Sequence, residues 1–273
     1  MREGDIAFAC AVTDLEHWGY TDADFRRLMR LEPQGCLVAE GGGERVGLAT
    51  VTTYGEVAWI GAVIVSPAAR GSGVGDALLK RALDLCDSRG VTSARLNSYL
   101  NVVEFYRRLG FRGETENARC SGSGMGGFSG GRARPVEELG SIEAFDTRFF
   151  GAYRGTLLRD LQHDPTATLL MVEREGRPLG YIAFTAAGDE CEIGPWIVEP
   201  GEPVAAATLL EEAVAASGAR SFSLTCPLAN AAAAEALAAQ GFEERFRTLR
   251  MTRGRPVRED LRGIWALGGL EKG

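Results

Sequence analysis

The sequence predicts a mixed α/β fold built twice: two tandem units, each a mostly antiparallel mixed sheet flanked by helices. Three observations carry this expectation. The chain repeats itself at a fixed offset, each copy runs through the same order of strands and helices, and a glycine-rich stretch separates the copies.

In the first copy Val46-Gly47 is followed by Gly61-Ala62-Val63-Ile64-Val65-Ser66-Pro67. In the second, Leu179-Gly180 is followed by Gly194-Pro195-Trp196-Ile197-Val198-Glu199-Pro200, each pair offset by 133. Farther on, Leu78-Leu79 matches Leu209-Leu210, Ala82 matches Ala213 and Gly110-Phe111 matches Gly241-Phe242, now at an offset of 131. The second copy is therefore two residues shorter between Pro200 and Leu209, opposite Ala68 to Gly75. Chance matching of small apolar residues would not hold one register across a strand pair, a helix and a Gly-Phe turn. Between the copies, Ser121 to Pro135 holds six glycines in 15 positions, the composition of a flexible connection. The expected organisation is a first unit over 1–120, a linker over 121–138 and a second unit over 139–273.

Within the first copy, Ile6 to Val12 reads as an opening β-strand. A signal-peptide core is the competing reading, and the acidic flank of Glu3 and Asp5 argues against it. Leu37–Glu40, Val46–Thr53 and Val57–Val65 are β-branched and aromatic, broken by Gly41-Gly42-Gly43 and Tyr54-Gly55, and predict consecutive antiparallel strands. The last is apolar on both faces, as a covered central strand should be. Val74, Leu78, Ala82 and Leu85 recur at helical spacing, predicting an amphipathic helix that stops before Gly90. A short strand over Ser93–Leu96 and a second helix over Asn101–Leu109 complete the unit.

Composition narrows the function. Of 273 residues 45% are apolar and 25% charged, the balance of a globular protein, and 36 are glycine, about twice the average share. The net charge of −7 disfavours a polyanionic partner, because DNA or an anionic membrane surface demands a cationic footprint. Cationic and neutral substrates stay open. Six scattered cysteines without a C-x-x-C pair, and only two histidines, predict free thiols, no metal site and a cytoplasmic protein. The longest apolar runs, such as Trp59 to Val65, fall far short of the ~18–20 residues that span a bilayer.

The segment Val65-Ser-Pro-Ala-Ala-Arg70-Gly71-Ser72-Gly73-Val74-Gly75-Asp76 joins the central strand to the long helix. Glycines at alternate positions let the backbone approach a ligand, so N–H groups at a helix N-terminus converge on one place and favour a phosphate or pyrophosphate. Arg70 adds charge and a fork of donors. A tight turn with no ligand explains the same glycines. No Gly-Lys-Ser/Thr follows, as a Walker loop requires, and the spacing misses the dinucleotide fingerprint.

Arg70-Gly71-Ser72-Gly73-Val74-Gly75, following an apolar strand and opening a helix, together with Phe105-Tyr106-Arg107-Arg108-Leu109-Gly110-Phe111, resembles the GNAT superfamily of acyl-CoA N-acyltransferases over residues 1 to 120. The second half resembles a degenerate copy. The resemblance implies an acetyl-CoA-dependent N-acetyltransferase with CoA as product and a small-molecule or peptide amine as acceptor. It puts the pyrophosphate on Gly71 to Asp76 and the pantetheine along the backbone of Val63, Ile64 and Val65 like an added strand. That pairing needs a splayed sheet, which a bulge at Gly61 would permit. The resemblance assigns Tyr106 to protonate the departing sulfur, with an aromatic on the core face beside Phe105 as the competing reading. Glu56 is a candidate base, or an exposed hairpin glutamate. The family asparagine seven residues before the tyrosine is replaced by Tyr99, and the nearby Asn101 is a cofactor contact or a helix N-cap.

Recognition of acceptor is expected on Glu16 to Asp22, with Trp18 and Tyr20 as substrate contacts. A cap by Thr21 or Asp22 and a packed Trp18 account for these residues equally. Gly201-Glu202-Pro203-Val204 replaces the cradle in the second copy, where the proline lacks an N–H and the glutamate repels phosphate. An acyl-CoA-binding sensor or interaction protein without catalysis is the alternative. A nucleotide-phosphate-binding protein is disfavoured by the absent lysine and metal ligands.

Overall fold

A computed structural model describes residues 1–123 and 132–273. The central part of the expected linker, 124–131, lies outside the described residues. The chain forms two compact units: Met1–Asn97 with Thr252–Pro256 and Lys272, and Ser98–Met251 with Val257–Glu271 and Gly273.

The first unit opens with α1 (Ile6–Asp14) and α2 (Asp22–Leu31), then β1 (Cys36–Gly41), β2 (Glu44–Tyr54), β3 (Val57–Val65), α3 (Val74–Ser88) and β4 (Ser93–Tyr99, its last two residues belonging to the second unit). β1, β2 and β3 pair antiparallel, whereas β3 and β4 pair parallel. The segment expected as an opening strand is a helix. Ile6, Ala9, Val12 and Thr13 are its buried residues, a helical face that the short apolar run concealed, and Thr13 Oγ1 donates to the Ala9 carbonyl at 2.8 Å. α2 begins on a capping box: Thr21 Oγ1 accepts from Asp24 N–H at 3.3 Å and Asp24 returns the bond to Thr21 N–H at 2.9 Å. Such a cap stabilises by about 1 kcal/mol. Both helices bury their apolar faces with Cys36, Leu48, Ala62 and Ile64 in one core. α3 buries Leu78, Leu79, Ala82, Leu85 and Cys86, and its chain turns out at Gly90, φ +72°.

The second unit contains α4 (Val103–Arg108), β5 (Arg112–Ser123), β6 (Arg134–Pro135), α5 (Gly140–Phe150), α6 (Gly155–His163), β7 (Ala167–Arg174), β8 (Arg177–Ala187), β9 (Glu190–Val198), α7 (Pro203–Ser217), β10 (Ser221–Pro227), α8 (Ala231–Ala239), β11 (Glu243–Gly254) and β12 (Ile264–Ala266). Its strands run in the order β11-β5-β10-β9-β8-β7-β6, with β12 on β9. One core cluster brings Trp196, Phe184, Phe222 and Trp265 against the buried face of α7.

By compactness, residues 98–120 group with the second unit and 252–256 with the first. β5, encoded by the first copy, pairs antiparallel with β10 from Asn117↔Pro227 to Ser123↔Ser221. The end of β11, encoded by the second copy, neighbours β4, where Arg255 N–H donates to the Thr92 carbonyl at 3.0 Å. The first copy thus gives β5 to the second unit, and the second copy gives the end of β11 to the first. Ser121 to Ser123, assigned to the linker, are therefore strand.

The repeat is also visible in packing. A Cβ on Gly47 would meet Ile64 O at 2.8 Å and Leu78 Cδ1 at 3.2 Å; a Cβ on Gly180 would meet Ile197 O at 2.9 Å and Leu209 Cδ1 at 3.1 Å. In both units the helix after the central strand rests on a glycine of the preceding strand.

Five of the six cysteines are buried, and Cys10 is half-exposed. Burial pushes Cys36 up to about 11 and Cys86, Cys191 and Cys226 up to about 12, so at neutral pH they are thiols rather than nucleophilic thiolates. Titration of the native protein with an aromatic disulfide at pH 8 should accordingly modify Cys10 first, and all six only in denaturant. Fast reaction of a second thiol in the folded state would contradict the burial.

Candidate active site

β3 is the spine of the site. Its edge toward β2 is paired through to Val65, opposite Gly47, but its pairing with β4 ends at Ile60↔Leu96. From Gly61 onward the backbone of β3 on that side is left by its neighbour. The register against β2 shifts between Leu48 and Thr50, opposite Ile64 and Gly61, so the bulge falls where Gly61 suggested. The residue in the left-handed region is Ala62, at φ +46°, not the glycine. A non-glycine residue in that conformation is unusual, and nothing in the residue type signals it.

Beyond Val65 the chain makes a short 3₁₀ turn over Pro67–Ala69 and enters the glycine segment. Gly71 has φ +79° and Gly73 φ +86°; Gly75 is already helical, so two of the three glycines supply the left-handed conformation. Gly73 is the N-cap of α3 and provides no side-chain capping bond. The N–H groups of the first helical turn have no intrahelical partner and carry the positive end of the peptide dipoles. The Cβ positions of Gly71 and Gly73 face open space, leaving the backbone accessible to an anion. Ser72 Oγ donates to Ala69 O at 2.6 Å and closes the turn.

Arg70 stands at the mouth of this cradle with Nε donating to Val65 O at 3.0 Å and Nη2 to Glu16 at 2.7 Å. Glu16 lies in the segment expected to recognise the acceptor but was not singled out in it; a lone acidic residue in a polar loop carries no distinguishing signal. Trp18 and Tyr20, in the same segment, are joined by ring contact at 6.3 Å, and Tyr20 packs on Phe25 at 5.3 Å. Both rest against the α1–α2 core. The structure thus brings Trp18, Tyr20, Val63, Ile64, Val65 and the segment from Arg70 to Asp76 into one unit.

Glu56 belongs to that unit too, but stands in the turn before Val57, exposed, at the opposite end of β3 from the cradle. Its backbone carbonyl accepts from Thr92 and Ser93 N–H at 2.8 and 3.0 Å.

Tyr106 and Asn101 are residues of the second unit. Asn101 lies exposed in a 3₁₀ turn over Leu100–Val102 and caps no helix; Val102 is the N-cap of α4, without a side-chain bond. Tyr106 is buried in α4, its ring 5.0 Å from Phe105 and 6.1 Å from Phe111. Burial pushes its hydroxyl up to about 12, so it holds its proton at any physiological pH.

A central strand that parts from its neighbour at a bulge and runs into an amide cradle at a helix N-terminus is the framework of an acyltransferase that takes its acyl group from coenzyme A. Residues 7–111 match the acetyltransferase (GNAT) family, and residues 142–266 match an acetyltransferase (GNAT) domain. The chain belongs to the GNAT acyltransferases, with two such domains in tandem. It is 25% identical over 262 residues to holothin acyltransferase of Pseudoalteromonas sp. (strain SANK 73390), covering 94% of this chain and 88% of that one. A solved structure from Pyrococcus horikoshii aligns with a TM-score of 0.88 at 22% identity over 100% of this chain and 94% of its own. A tandem GNAT protein from the clavulanic acid biosynthesis pathway aligns at 0.66 and 14% identity, covering 93% and 95%. These structural likenesses are of fold. Among the described residues no helix is long and apolar enough to cross a membrane.

Proposed function

We propose that the protein is an acetyl-CoA-dependent N-acetyltransferase acting on a primary amine by direct attack in a ternary complex. The observation that carries this reading is the free edge of β3 running into the cradle of α3. Acetyl-CoA supplies a thioester: the amine nitrogen bonds to its carbonyl carbon, the C–S bond breaks and the thiolate leaves.

The N–H groups from Gly71 to Asp76 hold the pyrophosphate, joined by Arg70, which exchanges Glu16 for phosphate. The main-chain groups of Val63 to Val65 pair with the amides of the pantetheine arm, and the bulge at Ala62 aims an N–H at the developing oxyanion. Tyr106 donates a proton to the sulfur. Glu56 lies about 17 Å of strand before Gly61, so it accepts the amine proton only through water. Trp18 and Tyr20 contact the acceptor. A degenerate second copy, with Pro203 at the start of α7 and Glu202 paired to Arg174 at 2.9 Å, holds no phosphate.

Calorimetry with acetyl-CoA, CoA and ATP, followed by a thiol-release assay over an amine panel, tests the reading. The related holothin acyltransferase adds holothin to the acceptors to be assayed. Tyr106→Phe should lower kcat by about 100-fold, the scale of a lost general acid, with acetyl-CoA affinity unchanged. Because the raised Tyr106 value retains the proton, wild-type kcat should show no decline from this group below pH 10, and any stability it contributes is lost only as pH rises from 10 through 12. Binding without turnover on any amine would favour a sensor, and preference for ATP would discard the reading.

A further inference from the structure

The two copies part their strands at the same place and treat the gap differently. β3 and β4 pair from Val57↔Ser93 to Ile60↔Leu96; β9 and β10 pair from Glu190↔Ser221 to Ile193↔Leu224. The next residues are Gly61 and its counterpart Gly194. Among the described residues no strand pairs with the freed edge of β3. In the second unit, β8 holds one edge of β9 through Val198, and β12 takes the other, with Ile264 opposite Ile197 and Ala266 opposite Trp196.

β12 is also tied across the wedge. Leu267 N–H donates to the Thr225 carbonyl of β10 at 2.9 Å. Asn230 Nδ2 donates to the Ile264 carbonyl at 3.1 Å while its Oδ1 caps α8 on Ala233 N–H at 3.2 Å. Asn230 is the second-copy counterpart of Tyr99. The fit leaves no slack: Ile264 and Ala266 are 1% and 0% exposed, Trp265 stacks 4.9 Å from Trp196, and a Cβ on Gly194 would stand 1.9 Å from Leu267 O. An extended chain presents the same alternating N–H and C=O groups as an amide-bearing ligand laid along a strand.

We propose that Ile264–Leu267 is a permanent internal ligand of the second unit, occupying the groove that in the first unit receives the pantetheine arm. The assignment of that groove to pantetheine rests on the function proposed above; the occupancy does not. The second copy thereby closes its sheet with its own chain and offers acyl-CoA no site. Its altered cradle accords with this, since a groove already filled has no use for a phosphate anchor.

Hydrogen exchange followed by mass spectrometry on the full chain, with and without saturating acetyl-CoA, separates the two claims. A peptide spanning 261–268 should exchange more than about 1,000-fold slower than unstructured chain in the free protein, unchanged by acetyl-CoA. Peptides covering 61–76 should gain protection, and calorimetry should count one acetyl-CoA per chain. Gly194→Ala should raise exchange at 261–268 at least about tenfold while leaving β2 and β3 unaffected. Fast exchange of 261–268 in the free protein, its release by acetyl-CoA, or a second equivalent that protects β9 would overturn the proposal. Slow exchange there with no change at 61–76 would support the internal ligand and defeat the cofactor reading of the first unit.

Discussion

Gly73→Glu should lower acetyl-CoA affinity by about 100-fold or more in calorimetry while leaving the protein folded. A hundredfold loss is about 2.7 kcal/mol, and two effects supply it. The first is conformational. Gly73 sits at φ +86°, and a residue with a Cβ loses about 1–2 kcal/mol there relative to the right-handed region. The second is electrostatic and larger: the carboxylate reaches the exposed N-terminal amides of α3 and becomes a tethered anion competing with phosphate for the same donors. The second copy carries such a group naturally, since Glu202 is the N-cap of α7. No atom lies within 4 Å of the missing Cβ, so the variant has room and its melting temperature should fall by only a few degrees. Gly73→Ala isolates the conformational part and should lose no more than about tenfold. Wild-type affinity in Gly73→Glu would remove the phosphate from the cradle and with it the proposed function.

What could be read before the structure was known follows the physics of each signal. β1, β2, β3 and α3 stand within a few residues of their expected limits, because hairpin glycines and a four-turn apolar stripe are local features. The glycine turn into α3 is legible for the same reason, with Gly71 and Gly73 left-handed. Ile6 to Val12 was misread because seven residues are too few to separate a period of 3.6 from one of 2 when nearly all are apolar. The exchange of β5 and the end of β11 was invisible: an exchanged strand has the same alternation wherever it pairs, and only the partner differs. So was the left-handed Ala62, which falls in the register shift of β3 against β2. Asn230 shows the limit from the other side, since the repeat located it, and only the three-dimensional partner, Ile264 O, says what it does.

The largest stability effect expected of a single substitution is Asp146→Ala in the second unit. Asp146, in α5, and Arg154, before α6, are each 1% exposed. Arg154 Nε donates to both carboxylate oxygens, at 3.1 and 2.9 Å, and Nη2 to Oδ1 at 2.8 Å; the Tyr181 hydroxyl donates to the same oxygen. The guanidinium carbon lies 4.0 Å from the centre of the Phe150 ring, and Nη1 donates to Gly273 O at 2.6 Å. Burial, then the Asp146 charge, hold the Tyr181 hydroxyl well above its ordinary value, so this donor is intact across pH 6–9, and stability derived from its raised value is lost only at strongly alkaline pH. Removing the carboxylate strands a buried guanidinium, which costs about 3–5 kcal/mol. At about 2–4 °C per kcal/mol for a unit of this size, the transition followed by Trp196 and Trp265 fluorescence should drop by roughly 6–20 °C. The pair Asp146→Leu with Arg154→Met should recover part of that loss, because two apolar side chains leave no charge without a partner and only the Tyr181 hydroxyl is stranded. Equal losses in the single and double variants would locate the stabilisation in the packing around Phe150 instead of in the neutralised charge.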